Sequence, residues 1–326
     1  MRLLLTLGLL GLITPAAPAT PPLAVAKVPG DAFAFGHFRF SQLWDHPLVE
    51  KLRAILGNNL GRDLAIMQKR AGIEAANLDA FTVYISRINR PGNAQLYCVI
   101  LTTRKPYDRD RVIRAGGNTK PDVRGFFELD EHDPDGLLLH LSGPRTFALM
   151  HPALAEDYAK AGPALAEGPI HEALKSAATG EHAAVASLNM ATSPRGLILA
   201  DPPAELRPYL PLLKVDTVFA EADLGDDIKV RVRVNAAETQ NVVELEESLT
   251  TLIPFGQEVV EDHMIERQKY TRERDKPQLH LALALLRMAK ETLGAVKITR
   301  SAREVELAGV VQLDPKLVDT VAKAVK

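Results

Sequence analysis

Cysteine is nearly missing from this chain: Cys98 is the only one in 326 residues. No disulfide can form within the molecule, so packing alone must hold it together, even in an oxidising compartment. Aromatic residues are scarce too, at 5 %, with a single Trp, which leaves aliphatic side chains to build the core. Neither sign of charge dominates, since 39 Lys and Arg stand against 41 Asp and Glu. A broadly basic surface is thereby excluded, and no nucleic-acid partner is expected. The sequence also lacks G-x-S-x-G, S-x-x-K, H-E-x-x-H, a Walker loop, G-x-G-x-x-G and C-x-x-C, the local signatures that carry most recognisable chemistry. Accordingly no catalytic, cofactor-binding or metal-ligating residue is assigned, and no cofactor is expected.

What is present begins with an export pattern. Met1 and Arg2 give a basic start, residues 3–13 form an apolar run, and Ala17-Pro18-Ala19 supplies an A-x-A cleavage signal. This is the layout of a secretory signal peptide over 1–19. The run is shorter than the roughly 17–25 residues that a membrane-spanning helix needs, so no permanent span is expected after cleavage. The mature chain is expected to be periplasmic or extracellular.

Hydrophobic periodicity then organises the rest. Residues 20–29 are Pro- and Ala-rich and are expected as a flexible leader. A strand is predicted over 32–40, with Phe33 and Phe35 on one face, Phe38 and Phe40 on the other, and a bulge at Gly36. Pro47 suits the first turn of a helix, and a second helical piece over 60–70 should end at Gly72. Strands are predicted over 81–85 and 96–101, joined through Pro91-Gly92, with Cys98 as a buried strand residue. A helix over 108–115 precedes a meander of strands at 126–129, 137–141 and 146–150. Residues 153–179 are Ala-rich and read as helix broken at Gly162-Pro163 and Gly168-Pro169. A boundary is placed near Gly180.

The second half opens on a strand at 183–190 and a Pro-rich stretch over 191–214. A hairpin over 218–234 follows. Its apolar set, Val218, Ala220, Ala222 and Leu224 with Ile228, Val230, Val232 and Val234, aligns when Leu224 pairs with Ile228, and the same register sets Asp223 opposite Lys229 and Glu221 opposite Arg231. The charged face is expected to turn to solvent or to a polar partner, which makes it a candidate contact surface. Then come a helix over 238–253, a charged segment to Pro277, a helix ending at Gly294, a hairpin over 296–311 and a last helix from Pro315. Strands and helices recur in similar order in the two halves. The expectation is an α+β protein of two similar units, 30–180 and 181–326, each an antiparallel sheet packed with helices. In this matching, the hairpin around 126–141 corresponds to the one around 296–311.

Three polar constellations could carry chemistry. Asp130-Glu131-His132-Asp133-Pro134-Asp135-Gly136 gathers oxygens in one turn, but Ser142 stands where a calcium loop needs a carboxylate. Glu261-Asp262-His263 and Glu266 place His263 and Glu266 one helical turn apart. Residues 267–274 are locally basic around Tyr270, with acids interleaved. Phe33, Phe35, Phe38 and Trp44 are the candidates for lining an apolar pocket.

The stretch Pro29-Gly30-Asp31-Ala32-Phe33-Ala34-Phe35, running on to Leu43-Trp44, together with the closing helix-to-hairpin unit over 289–311, resembles a group of uncharacterised exported proteins of planctomycete-type bacteria. The resemblance implies an exported, duplicated α+β protein and brings no active site with it. The function expected from the sequence is a non-enzymatic exported protein that binds an envelope component or partner protein through its sheet surfaces or a groove. The alternatives are a hydrolase with a scattered acid pair or triad and a carrier of small apolar ligands.

Overall fold

The computed structural model describes residues 22–56, 68–69, 72–86, 96–117, 120–129, 136–192, 209–212, 214–270 and 276–313. The signal segment 1–19, most of the helical piece at 60–70, the Pro91-Gly92 turn, the acidic turn 130–135, most of the Pro-rich stretch and the final helix lie outside the described residues.

The chain is an α+β protein built on one antiparallel sheet. Its strands are β1 (Ala34–Phe38), β2 (Leu78–Ile85), β3 (Tyr97–Thr103), β4 (Phe126–Glu128), β5 (Leu138–His140), β6 (Thr146–Met150), β7 (Ala184–Asn189), β8 (Val215–Leu224), β9 (Asp227–Ala236), β10 (Lys297–Arg300) and β11 (Glu304–Gln312). They run in the order β10-β11-β9-β8-β7-β1-β2-β3-β6-β5-β4. The expected sheet in each half is therefore one continuous sheet, joined where β1 pairs with β7 from Ala34–Leu188 to Phe38–Ala184. No local pattern announces this join, because it brings together residues some 150 positions apart. By place in the sheet, β5 and β6 of the first half stand where β10 and β11 stand in the second, one strand later than the matching read from the sequence.

The helices are α1 (Leu23–Ala26), α2 (Phe40–Trp44), α3 (Pro47–Leu56), α4 (Arg109–Gly116), α5 (Ala155–Lys160), α6 (His171–Thr179), α7 (Val242–Tyr270) and α8 (Lys276–Gly294). Asp108 caps α4 through a side-chain bond from the Arg111 N–H, satisfying one of the free donors of the first turn. Because strand side chains alternate between faces, each half-sheet can bury two different sets. On one face Phe35, Tyr84, Cys98, Ile100, Met150, Val185 and Phe219 pack with α1, α5 and α6. On the other, Leu78, Leu101, Leu139 and Phe147 pack with Val112 of α4, while Val215, Val234 and Val305 pack with Val242, Leu245 and Leu249 of α7.

Three expectations change. Residues 23–28 are not a loose leader: Ala24, Val25 and Val28 are buried in the first core and Ala26 is buried beside them in sequence, because the apolar residues between Pro22 and Pro29 have a helix surface to cover. Gly36 carries no bulge, since β1 keeps an unbroken register with both β2 and β7. Simple alternation already sends odd and even positions to opposite faces, so none is required. The helix that begins at Val242 does not stop near residue 253 but runs through Pro254 to Tyr270; its fit against α8 and the sheet outweighs the single hydrogen bond that an interior proline removes. α8 ends at Gly294, where the sequence places its end, and an added Cβ there would lie 2.8 Å from Gln257 Nε2 of α7.

Candidate functional site

The charged hairpin predicted from alternation sets the site. Leu224 pairs with Ile228, Asp223 with Lys229 and Glu221 with Arg231, the register expected when the apolar set and the charge set are aligned together. Val218, Val232 and Val234 turn towards α7, which leaves Glu221, Arg231 and Arg233 on the opposite face. There Arg231 Nη1 lies 2.8 Å from Glu221 Oε1, and Arg231 Nε lies 3.7 Å from Glu306 Oε1 on β11. His182, just before β7, places Nδ1 2.7 Å from Asp223 Oδ1 and Nε2 3.5 Å from Glu221 Oε2. Arg233 pairs with Glu172 of α6 at 2.6 Å and lies over the Phe219 ring. The result is a chain of ion pairs across β8, β9 and β11, anchored on the buried Glu221 carboxylate.

Beside this ladder the sheet opens. β10 pairs its four residues with 305–308 only, whereas β11 continues along β9 as far as Gln312. The last turn of α8 lies beside β11 here, with Thr292 near Gly309. An open cleft of about 530 Å³ lies between them, bounded by Glu221, Asp223, Lys229 and Arg231 of the hairpin, by Met288, Glu291, Thr292 and Ala295 of α8 and its end, and by Lys297, Ala308, Gly309, Val310 and Gln312. That volume is in the range of ligand sites. Its walls combine apolar patches at Val310 and Met288 with side chains of both charges, so the arrangement suits a polar, extended molecule.

The charged face of the hairpin, Glu221, Asp223, Lys229 and Arg231, forms one wall of this cleft; the three polar constellations and the aromatics singled out in the sequence are not in it. The acidic turn lies outside the described residues except for Gly136. His263 and Glu266 sit one turn apart on α7, exposed, with Nδ1 4.0 Å from Oε2. Residues 267–270 continue that helix. Phe35 is buried in the core; Phe38 and Phe81 meet the Phe40 ring edge-on, Trp44 stacks on Phe40, and Arg53 lies over Trp44. These aromatics fill space between the sheet and α2. Among the described residues no group of three or more His, Cys, Asp or Glu side chains is placed to hold a metal ion, and no helix is long and apolar enough to cross a membrane.

A Ser–His pair does occur elsewhere. His140 Nδ1 is 2.9 Å from Ser142 Oγ, which is 2.7 Å from the Tyr158 hydroxyl. Burial, reinforced by Lys27 and Arg109, lowers the pKa of His140, and burial raises that of Tyr158. A catalytic histidine is normally oriented by a carboxylate on its second nitrogen; here the ring packs between Phe126 and Tyr158 instead. Ser142 and His140 thus serve to satisfy the hydroxyl of a buried tyrosine.

No family model matches the chain, and no curated protein does. Among solved structures, crystal form I of TP0453 is similar at 8 % identity and a TM-score of 0.44, over 95 % of this chain and all of that one.

Proposed function

We propose that this chain is an exported binding protein that holds a polar, extended ligand from the cell envelope or a partner protein in the cleft between β9, β11 and the end of α8. The observation that carries the reading is the cleft itself: a half-open space of about 530 Å³ whose walls offer both charges and apolar surface. Its floor is held rigid by the Glu221–Arg231 and Asp223–His182 pairs, and preorganised walls lower the cost of binding. Export is supported by the signal-peptide pattern of residues 1–19, and N-terminal sequencing of secreted protein is expected to begin at Thr20. Ala308 lines the cleft next to Arg231 and Lys297. Ala308→Trp is expected to fill it and abolish retention of envelope material on the immobilised protein, with the circular dichroism unchanged. Undiminished retention by a folded Ala308→Trp protein would remove the cleft from the function.

We also propose that the two halves arose by duplication. The order β1-β2-β3-β6-β5 has its counterpart in β7-β8-β9-β11-β10. Superposing the two half-sheets strand on strand should bring their helices to corresponding faces. Helices on opposite faces would argue for convergence instead.

A further inference from the structure

We infer that the ligand of this cleft is an extended, acidic peptide segment of a partner protein, added to β11 as a further strand; this rests on the cleft being the binding site. The backbone phase of β11 supplies the first argument. The Ser301 N–H bonds to the Glu304 carbonyl, and the Ala236 N–H to the Arg303 carbonyl, both at 2.9 Å. In an antiparallel ladder the residues that exchange bonds with one neighbour alternate with those that face the other. Even-numbered residues of β11 therefore turn their N–H and C=O groups towards β10, and odd-numbered ones towards β9. β10 ends at Lys297, opposite Ala308. Val310 and Gln312 thus present backbone donors and acceptors at the cleft with no strand partner among the described residues. An unpaired edge of this kind is a template for strand addition.

Charge supplies the second argument. Glu221 and Asp223 are already engaged by Arg231 and His182. Lys229, which pairs with Val310 in the β9–β11 register, and Lys297, which lies in line with the incoming strand, both border the cleft. They are exposed and make no ion pair among the described residues. Glu291 stands on the helix wall, so an acidic side chain of the guest belongs on the sheet side, beside the two lysines. Val310, 46 % exposed, offers an apolar contact between them.

The competing account is that Lys229 and Lys297 are edge guards that discourage strand addition. The experiment uses a synthetic peptide of about six residues, a usual strand length, alternating Val and Glu. Its controls are the same peptide N-methylated at alternate positions and a Val–Lys version. Hydrogen exchange followed by mass spectrometry or NMR on the full mature chain should show the Val–Glu peptide protecting Val310 and Gln312. The N-methylated and Val–Lys peptides should bind at least about tenfold more weakly, equivalent to roughly 1.4 kcal/mol. Lys229→Glu with Lys297→Glu, both at exposed positions, should reverse the preference between the two charges. Equal binding of the N-methylated peptide, no protection at Val310 and Gln312, or an unchanged charge preference in the double variant would each overturn the inference. If the peptides fail while Ala308→Trp still abolishes retention of envelope material, the cleft stands and its ligand is not a strand. If Ala308→Trp also leaves retention intact, the cleft reading falls with it.

Discussion

Glu221 and Arg231 face one another across the β8–β9 hairpin with 2.8 Å between Oε1 and Nη1, yet the Glu221 side chain is 9 % exposed and that of Arg231 55 %. The pair is therefore unequal. Removing the arginine strands a buried carboxylate, which keeps only the more distant His182 ring for company. Arg231→Ala is expected to cost about 1–2 kcal/mol, the upper part of the ion-pair range being unlocked by burial of one partner only. Glu221→Gln retains an oxygen for the guanidinium and should cost less. Urea unfolding of both single variants and the double variant gives the coupling. A coupling indistinguishable from zero would mean that the pair contributes nothing and that Glu221 is held by His182 alone.

His37 gives stability a dependence on pH. It is 6 % exposed, and Nδ1 lies 2.9 Å from Thr82 Oγ1. Burial, with Arg39 adding to it and Asp79 opposing, pulls its pKa from 6.5 to about 4. The unfolded chain takes up a proton near 6.5, the native one near 4, so between those values the unfolded state carries more protons. The contribution of a neutral His37 is complete above pH 6.5 and is lost as pH falls towards 4, a change of about 3 kcal/mol over the window. His140, also lowered by burial, acts in the same direction. His37→Asn can keep a partner for Thr82 and does not titrate. Its unfolding free energy should fall less than that of the parent between about pH 7 and about pH 4.5, and parallel falls would show that His37 is not the group responsible.

How much of this was legible beforehand depends on how local the cause is. The β8–β9 register could be read because two independent signals, apolar alternation and opposite charges at facing positions, agree within 17 consecutive residues, 218–234. The burial of Cys98 followed from its place in an apolar strand. The β1–β7 join could not be read, since both strands are half-apolar and would pair equally well with other edges. Glu221 was expected on a face turned to solvent or to a polar partner; the His182 ring that covers it comes from the segment before β7, and nothing in the hairpin announces that. The cleft was invisible for the same reason. It exists because β10 is shorter than β11 and because α8 ends beside Gly309, which is a matter of how elements meet rather than of any motif.

Cys98 is fully buried between Tyr84 and Met150 in the strand register. Burial pushes its thiol up to about 12, although a hydrogen bond with Tyr84 acts the other way. Only the thiolate attacks a disulfide reagent, and here both ionisation and access are blocked. An aromatic disulfide reagent is expected to leave the native protein unlabelled and to label it at the rate of unfolding as urea is raised. Prompt labelling without denaturant would mean that the β2–β3–β6 region opens locally.

Gly30 and Gly168 hold the most demanding glycine contact among the described residues. A Cβ on Gly30 would lie 2.0 Å from the Glu167 carbonyl oxygen and 2.7 Å from its carbon, and one on Gly168 would lie 2.4 Å from the Gly30 oxygen. The obstacles are backbone atoms, which cannot swing aside as a side chain would. Gly168 also has φ of 149°, a conformation that L side chains rarely adopt. The approach has a purpose: the Gly30 carbonyl accepts the Ile170 N–H at 3.3 Å, tying the segment that carries α1 to the start of α6, with Val28, Ala32 and Ile170 buried around it. Gly30→Ala must push these backbones apart and is expected to cost about 1–3 kcal/mol or more, as overpacking does. Gly162→Ala is the control, since an added Cβ there meets nothing within 4 Å and its φ is not left-handed; it should stay within about 0.5 kcal/mol of the parent. Limited proteolysis supplies a second measure, because releasing the contact should expose residues 22–32 to cleavage first. Equal stability and equal protease resistance of the two variants would show that the N-terminal segment is not clamped at this point.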